Sequence, residues 1–93
     1  MKYKNENYRK IKGSHILLIS CGSCKSEIAR YQKLGKGSVL RMYVDRVIES
    51  TIDLKKDFIC PNCNKLLGSK VSLKKDKKEF YKMIRSTFNS KKE

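Results

Sequence analysis

Two Cys-x-x-Cys motifs contain all four cysteines of this 93-residue chain. They are Cys21-Gly22-Ser23-Cys24 and Cys60-Pro61-Asn62-Cys63. A tight turn in each motif directs both of its sulfurs toward one ion, and backbone amides near Gly22 and Asn62 can donate to the thiolates. Four thiolates suit one Zn²⁺ in a closed structural site with no coordination position left for water or substrate. The motifs therefore predict a binding module built around zinc at Cys21, Cys24, Cys60 and Cys63.

Two other uses of four cysteines stay open, namely two structural disulfides and a redox dithiol. Disulfides need an oxidising compartment. The basic, polar segment before residue 14 lacks the apolar core of a signal peptide, and no stretch is long enough to span a membrane. We therefore expect a cytoplasmic, reducing environment and no membrane partner. A redox role remains an alternative because Cys-x-x-Cys motifs can lower thiol pKa values.

Catalytic residues are scarce. His15 is the single histidine, and no serine or cysteine outside the metal set has a recognisable nucleophile context. We expect that the protein is not an enzyme.

The charge is strongly positive, with 23 Lys and Arg against 9 Asp and Glu and a formal net charge of +14. Such a field attracts polyanions through counterion release, which indicates RNA, DNA or a nucleoprotein complex as a partner. Solubility alone is the competing explanation. The predicted contacts mix aromatic and basic side chains, which can stack unpaired bases and hold phosphates. They are Tyr31, Lys33, Lys36, Arg41, Tyr43 and Arg46, followed by Lys70, Lys74, Lys75, Lys77, Lys78, Lys82 and Arg85. The alternative for Tyr31 and Tyr43 is a place in the core.

One small domain is expected at residues 14–88, between a basic flexible arm at 1–13 and a basic tail at 89–93. Short β-rich runs predict strands at 15–20, 28–33, 58–59 and 71–73. Two segments fit either a helix or a strand, at 39–52 and at 79–88, with a helix possible at 80–88. The 35 residues between Cys24 and Cys60 exceed the spacing of a compact zinc ribbon and predict a larger sheet around the metal.

From about residue 16 to 88, the order of motifs resembles the Yippee family and its β-tent relatives, including the thalidomide-binding domain of cereblon and the methionine-R-sulfoxide reductases. The features are the first Cys-x-x-Cys, the turn Gly35-Lys36-Gly37, the run from Met42 to Ile48, and the second Cys-x-x-Cys followed by Leu67-Gly68. The resemblance implies a mostly β fold of two antiparallel sheets joined by zinc, either a β-tent or an extended zinc ribbon, with an extended segment at 39–49.

The same resemblance implies an alternative function, a protein-interaction adaptor that docks an acidic partner. It carries no activity with it. A reductase needs a nucleophilic cysteine besides the four metal ligands, and this chain has none.

Overall fold

The computed structural model describes residues 1–6, 8–73 and 78–93, and its strands form two antiparallel sheets. In chain order the strands are β1 (Tyr3–Lys4), β2 (His15–Cys21), β3 (Glu27–Lys33), β4 (Arg41–Tyr43), β5 (Val47–Ser50), β6 (Phe58–Ile59), β7 (Leu66–Leu73), β8 (Lys78–Met83) and β9 (Phe88–Lys92). The five-stranded sheet has the order β1-β5-β3-β2-β9, and the four-stranded sheet has the order β4-β8-β7-β6. The prediction of a small, mostly β, two-sheet domain is confirmed.

The core lies between the two sheets and takes residues from both. Side chains of β2 alternate, so that Leu17, Ile19 and Cys21 are buried while their neighbours are more exposed. From the other sheet, Phe58 packs edge-on against Tyr81 with ring centroids 5.2 Å apart. The cysteine motifs lie at the ends of hairpins from different sheets, the first between β2 and β3 and the second between β6 and β7.

The ambiguous segment at 39–52 is extended and is interrupted by one turn of 3-10 helix at Val44–Arg46. This turn carries the chain from β4 in one sheet to β5 in the other. The helical alternative is wrong here because each half of the segment pairs with a different sheet. Met42 and Val47 nevertheless both reach the core.

The possible helix at 80–88 is also wrong. Residues 78–83 form β8, a turn follows, and Phe88 opens β9 in the opposite sheet. The turn contains Ser86 with a φ of 67°, in the left-handed region. The predicted tail from residue 89 differs from the structure as well, because β9 pairs with β2 from Leu17↔Lys92 to Cys21↔Phe88.

The predicted arm makes ordered contacts with the five-stranded sheet. Its strand β1 pairs with β5 through Tyr3↔Ser50 and Lys4↔Glu49. Further along, the buried side chain of Gln32 accepts a hydrogen bond from the Ile11 backbone N–H at 3.1 Å and donates to the Arg9 carbonyl at 2.8 Å. A basic segment without apolar periodicity is therefore held by backbone pairing and one buried amide.

Candidate metal centre and basic surfaces

The first cysteine motif folds into a tight hydrogen-bonded turn. The backbone N–H of Cys21 donates to the Ser26 carbonyl at 2.9 Å, and the Lys25 N–H donates to the Cys21 carbonyl at 3.0 Å. Lys25 has a φ of 64°, which reverses the chain directly after Cys24. The turn directs the sulfurs of Cys21 and Cys24 to one side.

The second motif repeats this geometry. The Cys60 N–H donates to the Lys65 carbonyl at 2.9 Å, the Asn64 N–H donates to the Cys60 carbonyl at 2.8 Å, and Asn64 has a φ of 62°. The two motifs are thus equivalent halves of one site, although they come from different sheets. A hydrogen bond of 3.0 Å from Lys65 Nζ to Ser23 Oγ links them directly.

The four sulfurs converge. All four Sγ atoms lie within 4.8 Å of one another, and the Cys21–Cys63 and Cys24–Cys60 pairs are each 3.5 Å apart. Tetrahedral coordination with metal–sulfur bonds of about 2.3 Å places sulfurs about 3.8 Å apart. The cluster therefore has the dimensions of a four-thiolate site and can hold one metal ion. Among the described residues, no histidine or carboxylate joins the group.

Hydrogen bonds lower the pKa values of two of the four thiols and so favour their thiolate form. Backbone N–H groups of Cys24 and Ser23 lower the pKa of Cys21 against the opposing effect of burial. The pKa of Cys24 falls to about 5, chiefly through the Ser26 hydroxyl and the Asn62 side chain, with the Ser26 backbone N–H adding to them.

In the absence of a cation, the short distances between the sulfurs oppose the ionisation of all four thiols. The Lys65 backbone N–H lowers the pKa of Cys63, but the neighbouring thiols and burial outweigh it and raise that pKa to about 11. Four thiolates this close repel one another, and a divalent cation at their centre removes the conflict. The donor set and its spacing therefore fit a metal ion.

The predicted nucleic-acid residues separate into several places. The pairs Tyr43↔Phe80 and Arg41↔Lys82 lie on the face of the four-stranded sheet opposite the core, because their neighbours Met42 and Tyr81 point into the core. We call this the outer face of the four-stranded sheet. It brings together Arg41, Tyr43 and Lys82 from the predicted set.

Phe80 was not among the predicted contacts, yet it lies between Arg41 and Tyr43 on this face and contacts both. Its side chain is only 7% exposed, although it lies outside the core cluster. The Tyr43 ring lies against it with centroids 5.6 Å apart, and the Arg41 guanidinium lies 5.4 Å from its centroid. The Arg46 guanidinium lies 4.8 Å from the Tyr43 centroid. These four side chains form a continuous cation–aromatic row, Arg41–Phe80–Tyr43–Arg46.

Tyr31 was predicted as a nucleic-acid contact, but in the structure it is buried in the core. Its side chain is 1% exposed, and its hydroxyl accepts a hydrogen bond from the Tyr43 backbone N–H at 3.1 Å. Burial raises the pKa of Tyr31, while that hydrogen bond and the Arg46 guanidinium act in the opposite direction. A ring enclosed in this way cannot stack on a base, so the core alternative holds for Tyr31.

The remaining predicted cations are not members of the row, although Lys78 lines a cavity together with Tyr43 and Arg46. Lys70 forms an ion pair of 2.9 Å with Glu79, and Lys33 Nζ donates to the Leu34 carbonyl at 2.9 Å. Lys36 and Lys78 are exposed, and Arg85 lines a cavity beside β9. Lys74, Lys75 and Lys77 lie outside the described residues.

Comparison with known protein families, with characterised proteins and with solved structures gives no match to this chain. No helix within the described ranges has the length and apolarity needed to cross a membrane. The four-cysteine cluster and the cation–aromatic row are the two features of the molecule that bear on its function.

Proposed function

We propose that the protein is a non-catalytic structural-zinc module that binds single-stranded RNA or DNA, free or within a nucleoprotein complex, through the outer face of its four-stranded sheet. The cation–aromatic row is the observation that carries this proposal. The zinc centre holds the two sheets together, and the row supplies the contacts.

Zinc is the metal that the donor set favours. Four cysteine sulfurs from two Cys-x-x-Cys turns form a tetrahedral, soft ligand set with every position taken by protein. In such a site the ion stabilises the fold and activates no water. All four cysteines then have a structural role, which supports the proposal that the protein is not an enzyme. Two sheets joined by zinc are also what the Yippee resemblance implies, and membership of that family stays a prediction.

The row has the chemistry of a platform for unpaired bases. Phe80 is buried and supports the row, whereas the partly exposed Tyr43 ring and Arg46 guanidinium plane can stack on bases. Base–aromatic stacking contributes about 1–3 kcal/mol per base. The Arg46 guanidinium covers the Tyr43 ring, so it extends the stacking surface outward with a charged plane. Arg41 and the exposed Lys82 supply cations for the phosphates beside it.

Arg30, in the five-stranded sheet, is less available to phosphates. On the five-stranded sheet, Arg30 is bridged to Glu49 at 3.5 Å and to Glu93 at 3.2 Å. Within the described part of the chain, Arg41, Arg46 and Lys82 form no ion pair. No described carboxylate is bridged to these three side chains, so they can neutralise phosphates, whereas Glu49 and Glu93 already compensate the charge of Arg30.

A cavity of about 540 Å³ adjoins the row at the 3-10 turn. Tyr43, Arg46, Lys78 and the carboxylate residues Asp45 and Glu79 are among its lining residues. Its size falls within the range of small-ligand sites. It offers space for one nucleotide splayed from the strand, with cations for the phosphate and carboxylates as acceptors for base amino groups.

The test is a polarisation titration of labelled 12-residue oligonucleotides, single-stranded and duplex RNA and DNA, at several salt concentrations. We expect single strands to bind, with log affinity falling linearly with log salt. In Arg41→Gln combined with Arg46→Gln, two lost phosphate contacts reduce the slope by about 1.4, at about 0.7 per contact. Arg30→Gln combined with Lys91→Gln is the matched control, because it removes the same two charges from the other sheet. Absence of binding at low salt, or equal losses in both variants, would refute the proposal.

A further inference from the structure

The open edge of the five-stranded sheet has unpaired backbone groups. Strand β9 is the last strand in that sheet, and no described strand pairs with its other side. The Glu93 N–H donates to the Ile16 carbonyl and the Gly22 N–H donates to the Thr87 carbonyl, so residues 87 and 93 face β2. Because bonding alternates along an antiparallel strand, the backbone groups of Phe88, Ser90 and Lys92 point away from β2.

A cavity lies directly beside this edge. It has a volume of about 410 Å³ and separates β9 from the nearby end of the four-stranded sheet. The side chains of Phe88 and Ser90 are on the core-facing side of β9, since their partners Cys21 and Ile19 are buried. The residues that line the cavity are Ser38, Val39, Leu40, Met83, Arg85, Ser86, Phe88 and Ser90.

Four of the eight residues that line the cavity are apolar, namely Val39, Leu40, Met83 and Phe88. Leu40 is 49% exposed, an unusual position for a leucine next to buried Val39 and Met83. An extended segment added to β9 would use its backbone for hydrogen bonds and place alternate side chains over the cavity. An apolar side chain at that point would cover Leu40.

The charged residues around β9 indicate which kind of extended segment could bind there. Arg85 lines the cavity, and Lys91 and Lys92 are exposed on β9 itself. Glu93, the neighbouring carboxylate, is bridged to Arg30. Edge lysines oppose pairing with a second copy of this chain, whose formal net charge is +14. The same lysines attract an acidic segment.

We propose that β9 is a docking edge for an extended acidic segment of a partner protein, which adds a sixth strand to the five-stranded sheet and places an apolar side chain over the cavity at Leu40. This site is separate from the cation–aromatic row. It requires neither Arg41 nor Tyr43, and its occupant is a peptide rather than a nucleic acid.

A panel of labelled synthetic octapeptides tests the proposal on the intact zinc-loaded protein. Each peptide alternates glutamate with valine and carries leucine, isoleucine or phenylalanine at a central position. Each has a twin in which alternate backbone amides are N-methylated, so that the charge and side chains are kept while the strand-forming N–H groups are lost. We expect the unmodified peptides to bind and their twins to bind about tenfold more weakly or worse, since backbone hydrogen bonds carry the affinity.

Two positions on β9 provide matched protein variants. Ser90→Pro removes an N–H that points to the open edge and leaves the pairing with β2 intact, as proline on an edge strand can. We expect this variant to keep its melting temperature and to lose peptide binding about tenfold. Leu40→Asp, at an exposed position, should lose binding comparably without unfolding the protein.

Three binding results would overturn the proposal. They are the absence of binding by every peptide at low salt, equal binding of the N-methylated twins, and unchanged binding by folded Ser90→Pro. A peptide that bridges two copies of the chain, detected by sedimentation, would equally contradict a single docked segment. Oligonucleotide titration of Ser90→Pro separates the two sites, because nucleic-acid affinity should stay at the wild-type value.

Discussion

Cys21 and Cys60 occupy equivalent positions in two copies of one turn, one in each sheet. The N–H of each donates at 2.9 Å to the carbonyl of the residue five positions later, Ser26 in one turn and Lys65 in the other. Because the turns belong to hairpins of different sheets, an ion bound by both joins the sheets directly. A metal ion held by the four cysteines would therefore cross-link the two sheets.

Metal removal should unfold the protein. Structural zinc contributes about 10–16 kcal/mol of apparent binding free energy, as large as the about 5–15 kcal/mol that stabilises a typical domain. We expect a strong chelator to abolish the β-sheet circular dichroism spectrum and to release one zinc ion per chain in a colorimetric assay.

Two substitutions at the four-cysteine cluster serve as controls for this experiment, one at a predicted ligand and one at a neighbouring residue. Cys60→Ser should behave like the chelated protein, whereas Ser23→Ala, in the same centre but not a ligand, should retain zinc. A chelated protein with an unchanged melting temperature would contradict the role assigned to the metal.

The buried amide of Gln32 anchors the N-terminal segment. Gln32→Leu leaves the Ile11 N–H and the Arg9 carbonyl without their partner, which should lower the free energy of unfolding by about 1–3 kcal/mol. We expect trypsin to cleave at Arg9 and Lys10 faster in this variant than in the wild-type protein, while the zinc content stays at one ion.

Arg30→Gln, an exposed change on the same strand, is the control for local effects on β3. Equal cleavage rates in Gln32→Leu and Arg30→Gln would show that the amide does not hold the segment.

The four-cysteine cluster and much of the sheet structure could be predicted from sequence, because each depends on short-range patterns. A Cys-x-x-Cys turn is formed within six residues, and alternation in β2 identifies its buried face locally. Coordination of one metal ion by four thiolates would then require the two turns to lie next to each other.

The chain from residue 80 to 88 shows why the rest could not be predicted. Phe80, Ile84 and Phe88 are spaced by four residues, which suits one face of a helix and, being an even number, one face of a strand as well. In the structure they lie in β8, in a turn and in β9, so neither pattern describes the whole segment. Contact between Phe80 and Tyr43 depends on the register of β4 with β8, which no local pattern determines.

Alkaline pH should destabilise the fold through Tyr81. Its hydroxyl donates to the Lys56 carbonyl at 2.7 Å, and burial, together with the carboxylates of Asp53, Asp57 and Glu79, raises its pKa. A raised pKa means that the folded state favours the neutral phenol. The stability gained is complete below the unfolded pKa of about 10 and is lost as pH rises through the folded value.

Urea unfolding between about pH 8 and about pH 11 measures this effect. We expect Tyr81→Phe to lose about 1 kcal/mol at the lower pH, the contribution of one hydrogen bond, and to show a shallower decline above it. Tyr8→Phe, at an exposed ring, should retain the wild-type profile. An identical slope for Tyr81→Phe and wild type would contradict the assignment to Tyr81.

Stacking and charge can be separated at Tyr43. Tyr43→Leu removes the ring between Phe80 and the Arg46 guanidinium and leaves every charge in place. The backbone hydrogen bond to the Tyr31 hydroxyl also remains. Single-stranded oligonucleotide affinity should therefore fall by about 1–3 kcal/mol, the contribution of one stacked base, with no change in the salt slope. Tyr43→Trp should keep the wild-type affinity that Tyr43→Leu loses, because the larger ring keeps both contacts. A variant that weakens binding only by lowering the salt slope would mean that the ring merely positions Arg46, and an unchanged affinity would remove the row from the binding surface.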